Sequence, residues 1–208
     1  KMSFRNEEKI LTTLYQQGIL LNDFIKLGAT LLYPKRNISS IYFDTKNLQM
    51  FNDSEESILP RKKIRIRNYD NNFNESNLEI KISSPEGKFK QSKKIDKNLR
   101  KKYLTNGYLD STYGYCQPII KVSYNRTYYK LNQLRITIDK DISYENFISK
   151  NSVKEKMSVV ELKSQSSDEL SKIDKLLSLS RQRFSKYSRG CIELNIQWKN
   201  FFYLLFFF

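Results

Sequence analysis

Hydrophobic and polar positions alternate with a period of two through several stretches of this chain, most regularly in RKKIRIR at residues 61–67. In a strand, Arg61, Lys63, Arg65 and Arg67 fall on one face, and Ile64 and Ile66 help to cover the other. Like charges on one strand face repel, so a fold keeps such a row only where water solvates it or an anion neutralises it. For one strand alone, a solvated outer face is the default. The pattern recurs, however. NLEIKI (77–82) sets Leu78, Ile80 and Ile82 against Glu79 and Lys81, and GKFKQSKKI (87–95) gathers Lys88, Lys90, Ser92 and Lys94 on one face. IIKVSYNRTYYK (119–130) aligns Tyr124, Arg126 and Tyr128. LRITIDKDI (134–142) sets Ile136 and Ile138 against Arg135, Thr137, Asp139 and Asp141, with a hairpin turn at Asn132 and Gln133. SVVELKS (158–164) sets Val160 and Leu162 against Glu161 and Lys163. FRNEEKI (4–10), with Arg5, Glu7 and Lys9 on one face, ISSIYFDT (38–45) and CIELNIQW (191–198) complete the predicted strands.

Helical spacing is confined to two segments. LNDFIKLGATLL (21–32) carries Phe24, Leu27 and Leu31 behind an N-cap at Asn22 or Asp23, with Pro34 as its stop. Residues 166–179 begin with a Ser166/Glu169 capping box and present Leu170, Ile173 and Leu177 as an apolar stripe. Residues 47–57 read as a loop, and 95–117 as short helical turns and loop. There are no internal repeats. A single domain over residues 1–200 is expected, followed by an apolar tail, FFYLLFFF (201–208), too short to span a bilayer.

Charge sharpens this picture. The chain has 208 residues and a net charge of +15, which implies an anionic partner: nucleic acid, an acidic membrane, or a polyanionic small molecule or polymer. Genome bias accounts for part of the lysine content but not for cations at alternating strand positions. The chain has no histidine and two cysteines, Cys116 and Cys191, without motif spacing. That argues against a zinc site and a disulfide framework, and for a reducing, cytoplasmic setting. Any metal is left to carboxylates, which favours Mg²⁺ or Mn²⁺.

Strands with one apolar and one charged face have two solutions. A flat sheet turns the charged face to water. An antiparallel β-barrel, α+β in class, turns the apolar faces outward under the helices and the charged faces into a basic lumen, a tunnel for a phosphate chain. Arginine forks match phosphate oxygens, lysines add point charge, and Glu7, Glu79 and Glu161 would hold a divalent ion.

Here the chain resembles the polyphosphate polymerase (VTC, vacuolar transporter chaperone) domain family, within the CYTH-like triphosphate tunnel metalloenzymes. The resemblance runs from about Phe4 to Leu194 in the family's order: Arg5-x-Glu7-x-Lys9, SIYFDT (40–45), KIRIR (63–67), EIK (79–81), GKFKQSKK, YNRT (124–127), LRITIDKD (134–141), VELK (160–163) and FSK (184–186). Triphosphatase branches usually open with Glu where this chain has Arg5. The resemblance implies Lys9, Arg65, Arg67, Lys81, Lys90, Arg126 and Lys186 as catalytic cations. It implies Arg5, Lys63, Tyr124, Arg135, Lys163, Arg183 and Ser185 as substrate-binding residues, with Tyr124, Ser185 and Lys186 at the terminal phosphates. Glu161, with Glu7, would bind Mn²⁺ or Mg²⁺. Arg183 stands where the family often has lysine. Glu79 reads equally as an ion-pair partner, and Asp139 and Asp141 read as salt-bridge partners rather than ligands.

The implied reaction moves the γ-phosphate of ATP onto a growing inorganic polyphosphate chain. A triphosphatase of the same fold and a non-catalytic polyphosphate-binding module are the alternatives. Nucleic-acid binding ranks last, because the cations are expected inside a tunnel too narrow for a duplex. A membrane or membrane-protein partner would enter through the apolar tail.

Overall fold

The computed structural model describes residues 6–165, 167–177 and 180–196. The strands are β1 (Asn6–Thr12), β2 (Thr30–Asp44), β3 (Arg61–Tyr69), β4 (Glu75–Ser84), β5 (Gly87–Asp96), β6 (Tyr108–Asp110), β7 (Gly114–Leu131), β8 (Leu134–Asn146), β9 (Ser152–Lys154) and β10 (Ser158–Ser164). The helices are α1 (Leu14–Lys26), α2 (Gln49–Glu55), α3 (Lys97–Asn106), α4 (Ser167–Leu177) and α5 (Lys186–Glu193). The main sheet runs β1-β10-β8-β7-β2-β3-β4-β5, antiparallel throughout, with β6 and β9 as short additions to β7 and β8.

The sheet curls into a half-barrel. Lys81 on β4 lies within electrostatic reach of Glu7 on β1 and Glu161 on β10, although these strands stand near opposite ends of the strand order. The expected barrel is therefore present as a curled sheet, and among the described residues no ladder joins its edge strands β1 and β5.

Register sorts the side chains as the alternation requires. On the convex face, Ile10, Ile136, Ile138, Val160 and Leu162 pack with Leu20 and Phe24 of α1 and with Leu170 and Ile173 of α4. Ile41, Phe43, Ile64, Ile66 and Leu78 form a second outer cluster, over which Leu99, Tyr103 and Leu104 of α3 lie. The third cluster is on the concave face. Tyr42, Tyr124, Ile120, Tyr144 and Val159 pack there against Tyr187 and Cys191 of α5. The expectation of helices on the outside holds for α1, α3 and α4, whereas α5 sits within the curl.

Several expectations are corrected. The first helix starts at Leu14, where Thr13 and Gln16 make the capping box, so Asn22 and Asp23 lie inside it. It ends at Lys26, and Gly28 just beyond, with a φ of +97°, lets Ala29 N–H reach the Phe24 carbonyl. Residues 30–32 belong to β2, and so does Pro34; having no N–H, it falls where the β2–β7 register slips between Tyr33 and Arg36. Residues 49–55 form α2 rather than loop, because Asp44 accepts hydrogen bonds from the N–H groups of Met50 and Phe51 (both 2.9 Å). The predicted strand at 191–198 is instead the end of α5 and a turn over residues 194–196. The Ser166/Glu169 box, Arg5 and the tail at 201–208 lie outside the described residues and side chains. No helix among the described residues is long and apolar enough to cross a membrane.

Candidate active site

The strand ladders bring the charged positions together. Lys163 faces Glu7 and Arg135, Glu161 faces Lys9 and Thr137, Arg126 faces Asp139, Arg65 faces Tyr42 and Glu79, and Lys81 faces Lys63 and Lys90. With Arg67 and with Lys186 of α5, these described cations share the concave surface with the carboxylates Glu7, Glu79, Asp139 and Glu161. The surplus of positive charge faces one lumen.

The carboxylates organise the cations rather than cancel them. Glu79, 3% exposed, takes Arg65 Nε at 2.7 Å and Lys90 Nζ at 2.6 Å, with Arg67 Nη1 at 3.7 Å. Burial alone would raise its pKa, but Arg65, Arg67 and Lys90 hold it far below the usual carboxylate range. Arg65 Nη1 also donates to Tyr42 Oη (2.8 Å), and Arg67 donates to Ser40 Oγ and Tyr124 Oη (both 3.2 Å). Asp139, fully buried, accepts from Arg126 Nε (2.5 Å) and Nη2 (2.7 Å) and from Lys186 Nζ (2.5 Å). Its pKa, which burial would raise, is lowered by Lys186 and Arg126. The Tyr124 ring lies beneath both cations, 4.7 Å from Lys186 Nζ and 5.3 Å from the Arg126 guanidinium carbon.

The start of α5 closes one end of this surface. Tyr187 stacks on Tyr42 with ring centroids 5.2 Å apart, Ser185 caps the helix and accepts from Lys63 Nζ (2.9 Å), and the Phe184 carbonyl accepts from Lys9 Nζ (2.9 Å). Two lysines are held at reduced basicity. Burial, and then the Arg65 charge, bring Lys81 down to about 7. Burial, with the charges of Lys9 and Arg61, brings Lys63 down to about 8 against the opposing influence of Tyr42. Such groups gain a proton when an anion arrives.

Glu7 and Glu161 share Lys163, whose Nζ is 3.3 Å from Glu7 Oε2 and in contact with Glu161 Oε1. Lys9 Nζ lies 3.3 Å from the other Glu7 oxygen. Burial opposes the ionisation of both, and at Glu7 so does the charge of Glu161, yet Lys163 and Lys9, joined at Glu161 by Arg126, keep both carboxyls below their ordinary pKa. Among the described residues no group of three or more Asp, Glu, Cys or His side chains is placed to hold a metal ion. Two carboxylates suit a Mg²⁺- or Mn²⁺-type ion that completes its shell with water and phosphate oxygens, not an all-protein cage.

Thus the lumen contains Lys9, Lys63, Arg65, Arg67, Lys81, Lys90, Tyr124, Arg126, Arg135, Lys163, Ser185, Lys186, Glu7 and Glu161, all expected from sequence. Arg183 is not among them: it donates to Ser57 Oγ (2.9 Å) and the Ser54 carbonyl, at the far end of α2. Sequence reading gave no role to Tyr42 or Ser40, and ranked Asp139 only as a salt-bridge partner. Their signal was the alternation itself, because both flank Ile41 in β2 and so share the face opposite Arg65 and Arg67.

The profile of the VTC domain family matches residues 4–195. Among solved structures, a Bacillus halodurans protein provisionally described as an adenylate cyclase superposes with a TM-score of 0.62 at 15% identity, over 88% of this chain and 94% of that one. A Pyrococcus horikoshii protein gives 0.57 at 13%, over 91% and 98%. A Vibrio parahaemolyticus protein with the same provisional description as the first gives 0.54 at 16%, over 89% and 96%. At such identities the likeness concerns the fold, that of the triphosphate tunnel proteins. No curated protein matches this chain.

Proposed function

This chain belongs to the VTC domain family, and from that premise we propose that it is a metal-dependent polyphosphate polymerase, transferring the γ-phosphate of ATP to the end of an inorganic polyphosphate chain. The observation that carries the reading is the lumen, where guanidinium groups locked by Glu79 and Asp139 stand beside lysines of lowered pKa. Phosphoryl transfer depends chiefly on in-line positioning and on neutralising charge at the phosphate oxygens. Arg65, Arg67 and Arg126 are fixed before substrate arrives and need not reorganise. Lys186 and Ser185 at the start of α5 would take the terminal phosphates. The attacking group is a terminal phosphate oxygen, anionic at neutral pH, so no general base is needed, in keeping with a chain without histidine. The P–O bond between the β- and γ-phosphates breaks, a new phosphoanhydride bond forms, and ADP leaves. Glu161 and Glu7 would hold Mg²⁺ or Mn²⁺, which when bound supplies charge neutralisation at the phosphate oxygens.

The test is incubation of the purified protein with ATP and Mn²⁺, with polymer followed on a gel and orthophosphate by colour, beside Glu161→Ala. Polymer that disappears in the variant is the expected result. Orthophosphate without polymer overturns the polymerase reading in favour of hydrolysis.

A further inference from the structure

The alternation that places Tyr124 and Arg126 on the lumen face places Tyr128 there too, and phosphate chemistry gives Tyr128 no task. Its neighbours continue the pattern. In the ladders Tyr128 stands opposite Tyr33, Arg126 opposite Arg36, and Ile38 opposite both Tyr124 and Tyr69. Residues directly opposite in antiparallel strands point to the same side, so Tyr33, Arg36 and Tyr69 share the face of Arg126. Tyr33 and Arg36 are three apart and would point to opposite faces of a regular strand. The register slip at Pro34 turns both the same way.

The rings of Tyr33 and Tyr128 meet edge to face, with centroids 5.7 Å apart and planes at 83°. The Arg36 guanidinium carbon lies 5.8 Å from the Tyr33 centroid and 5.9 Å from that of Tyr69. Arg36 differs from Arg65, Arg67 and Arg126 in what holds it. Each of those has a carboxylate, whereas among the described residues no carboxylate pairs with Arg36, and tyrosine rings take that place. Tyr33 is 48% exposed and Arg36 is exposed, so a planar ligand can reach them. A bare phosphate chain makes no use of three rings. A nucleobase does, because it stacks on tyrosine rings and guanidinium planes alike.

We propose that this cluster is the nucleoside subsite of the lumen: the base of ATP stacks on Tyr33 and Arg36, and the phosphates run inward past Arg126 toward Lys186. The inference rests on the reading that the lumen takes a triphosphate.

Inorganic tripolyphosphate, which has no base, separates the two claims. The whole chain is titrated by calorimetry without added metal, so that transfer does not proceed. Tyr33→Leu should weaken ATP at least about fivefold while tripolyphosphate binds as in the parent, and Tyr33→Trp should restore ATP. Unchanged ATP binding in a Tyr33→Leu protein that still binds tripolyphosphate overturns the subsite and leaves the lumen reading standing. An equal loss of ATP and tripolyphosphate overturns it too, because Tyr33 then serves the fold and not the base. Failure of the parent chain to bind tripolyphosphate overturns the lumen reading, and the subsite with it.

Discussion

Asp139 is the residue whose loss should be felt most. Its carboxylate holds Arg126 and Lys186 in a fully buried position. Removing one partner of such a group leaves uncompensated buried charge, at about 3–5 kcal/mol. Asp139→Asn should therefore lower stability by that order in urea unfolding, and tripolyphosphate should restore more of it than in the parent, because the anion replaces the missing counter-charge. The same groups set the acid limit. Glu79, Asp139 and Glu161 have folded pKa values depressed below the unfolded ones, so their contribution is present above the ordinary values, 4.5 for the glutamates and 3.8 for Asp139, and is lost as pH falls below them. Lys81 acts in the opposite sense. Its folded pKa of about 7 lies below the ordinary 10.5, so its folding penalty is full below pH 7 and relieved as pH rises toward 10.5. Phosphate binding favours its charged form. Affinity for tripolyphosphate should therefore fall as pH rises from 7 to 9, and calorimetry should show a flatter profile in Lys81→Arg. These cations were legible from period-two alternation. The burial that depresses Lys81, and the carboxylate each arginine chooses, were not, because both depend on which strands become neighbours.

At the scale of elements, α5 decides whether the lumen is complete. Gly190 packs so closely that an added Cβ would lie 2.7 Å from Ile120 Cδ1 and 2.8 Å from Tyr144 Cδ1. Gly190→Ala should cost about 1–3 kcal/mol through overpacking. It should also reduce turnover, because the displaced helix carries Ser185 and Lys186; thermal melting and polymer yield would both move. Sequence reading assigned this segment to a strand, since CIELNIQW alternates over too short a span to separate helix from strand. The helical pairing of Tyr187 with Cys191 is what the structure uses. The strands were read well because each has one face in an outer core and one on the lumen, a contrast that survives in composition. Residues 49–55 were missed because the side chain that caps α2, Asp44, lies at the end of the preceding strand.

For the whole molecule, the central feature is a curled sheet that turns a surplus of cations inward. Exposed cations are screened within about 8 Å at physiological ionic strength, whereas partly enclosed ones are screened less. A polyphosphate ligand should thus stabilise the folded chain by linkage, by about 2.7 kcal/mol at a hundredfold excess over its Kd, and less as salt weakens binding; a thermal shift series in rising salt checks this. Alternation alone defines two faces without saying which becomes concave; the family resemblance is what implied the basic lumen that the curled sheet has. Aromatic residues on the charged side, Tyr42 and Tyr124, gave the only hint that part of that face is covered. The most direct test is a crystal structure with tripolyphosphate. The phosphates are expected within hydrogen-bond distance of Arg65, Arg67, Arg126 and Lys186, beside Glu161. Phosphates bound only on the convex surface, with the lumen filled by water, would contradict it.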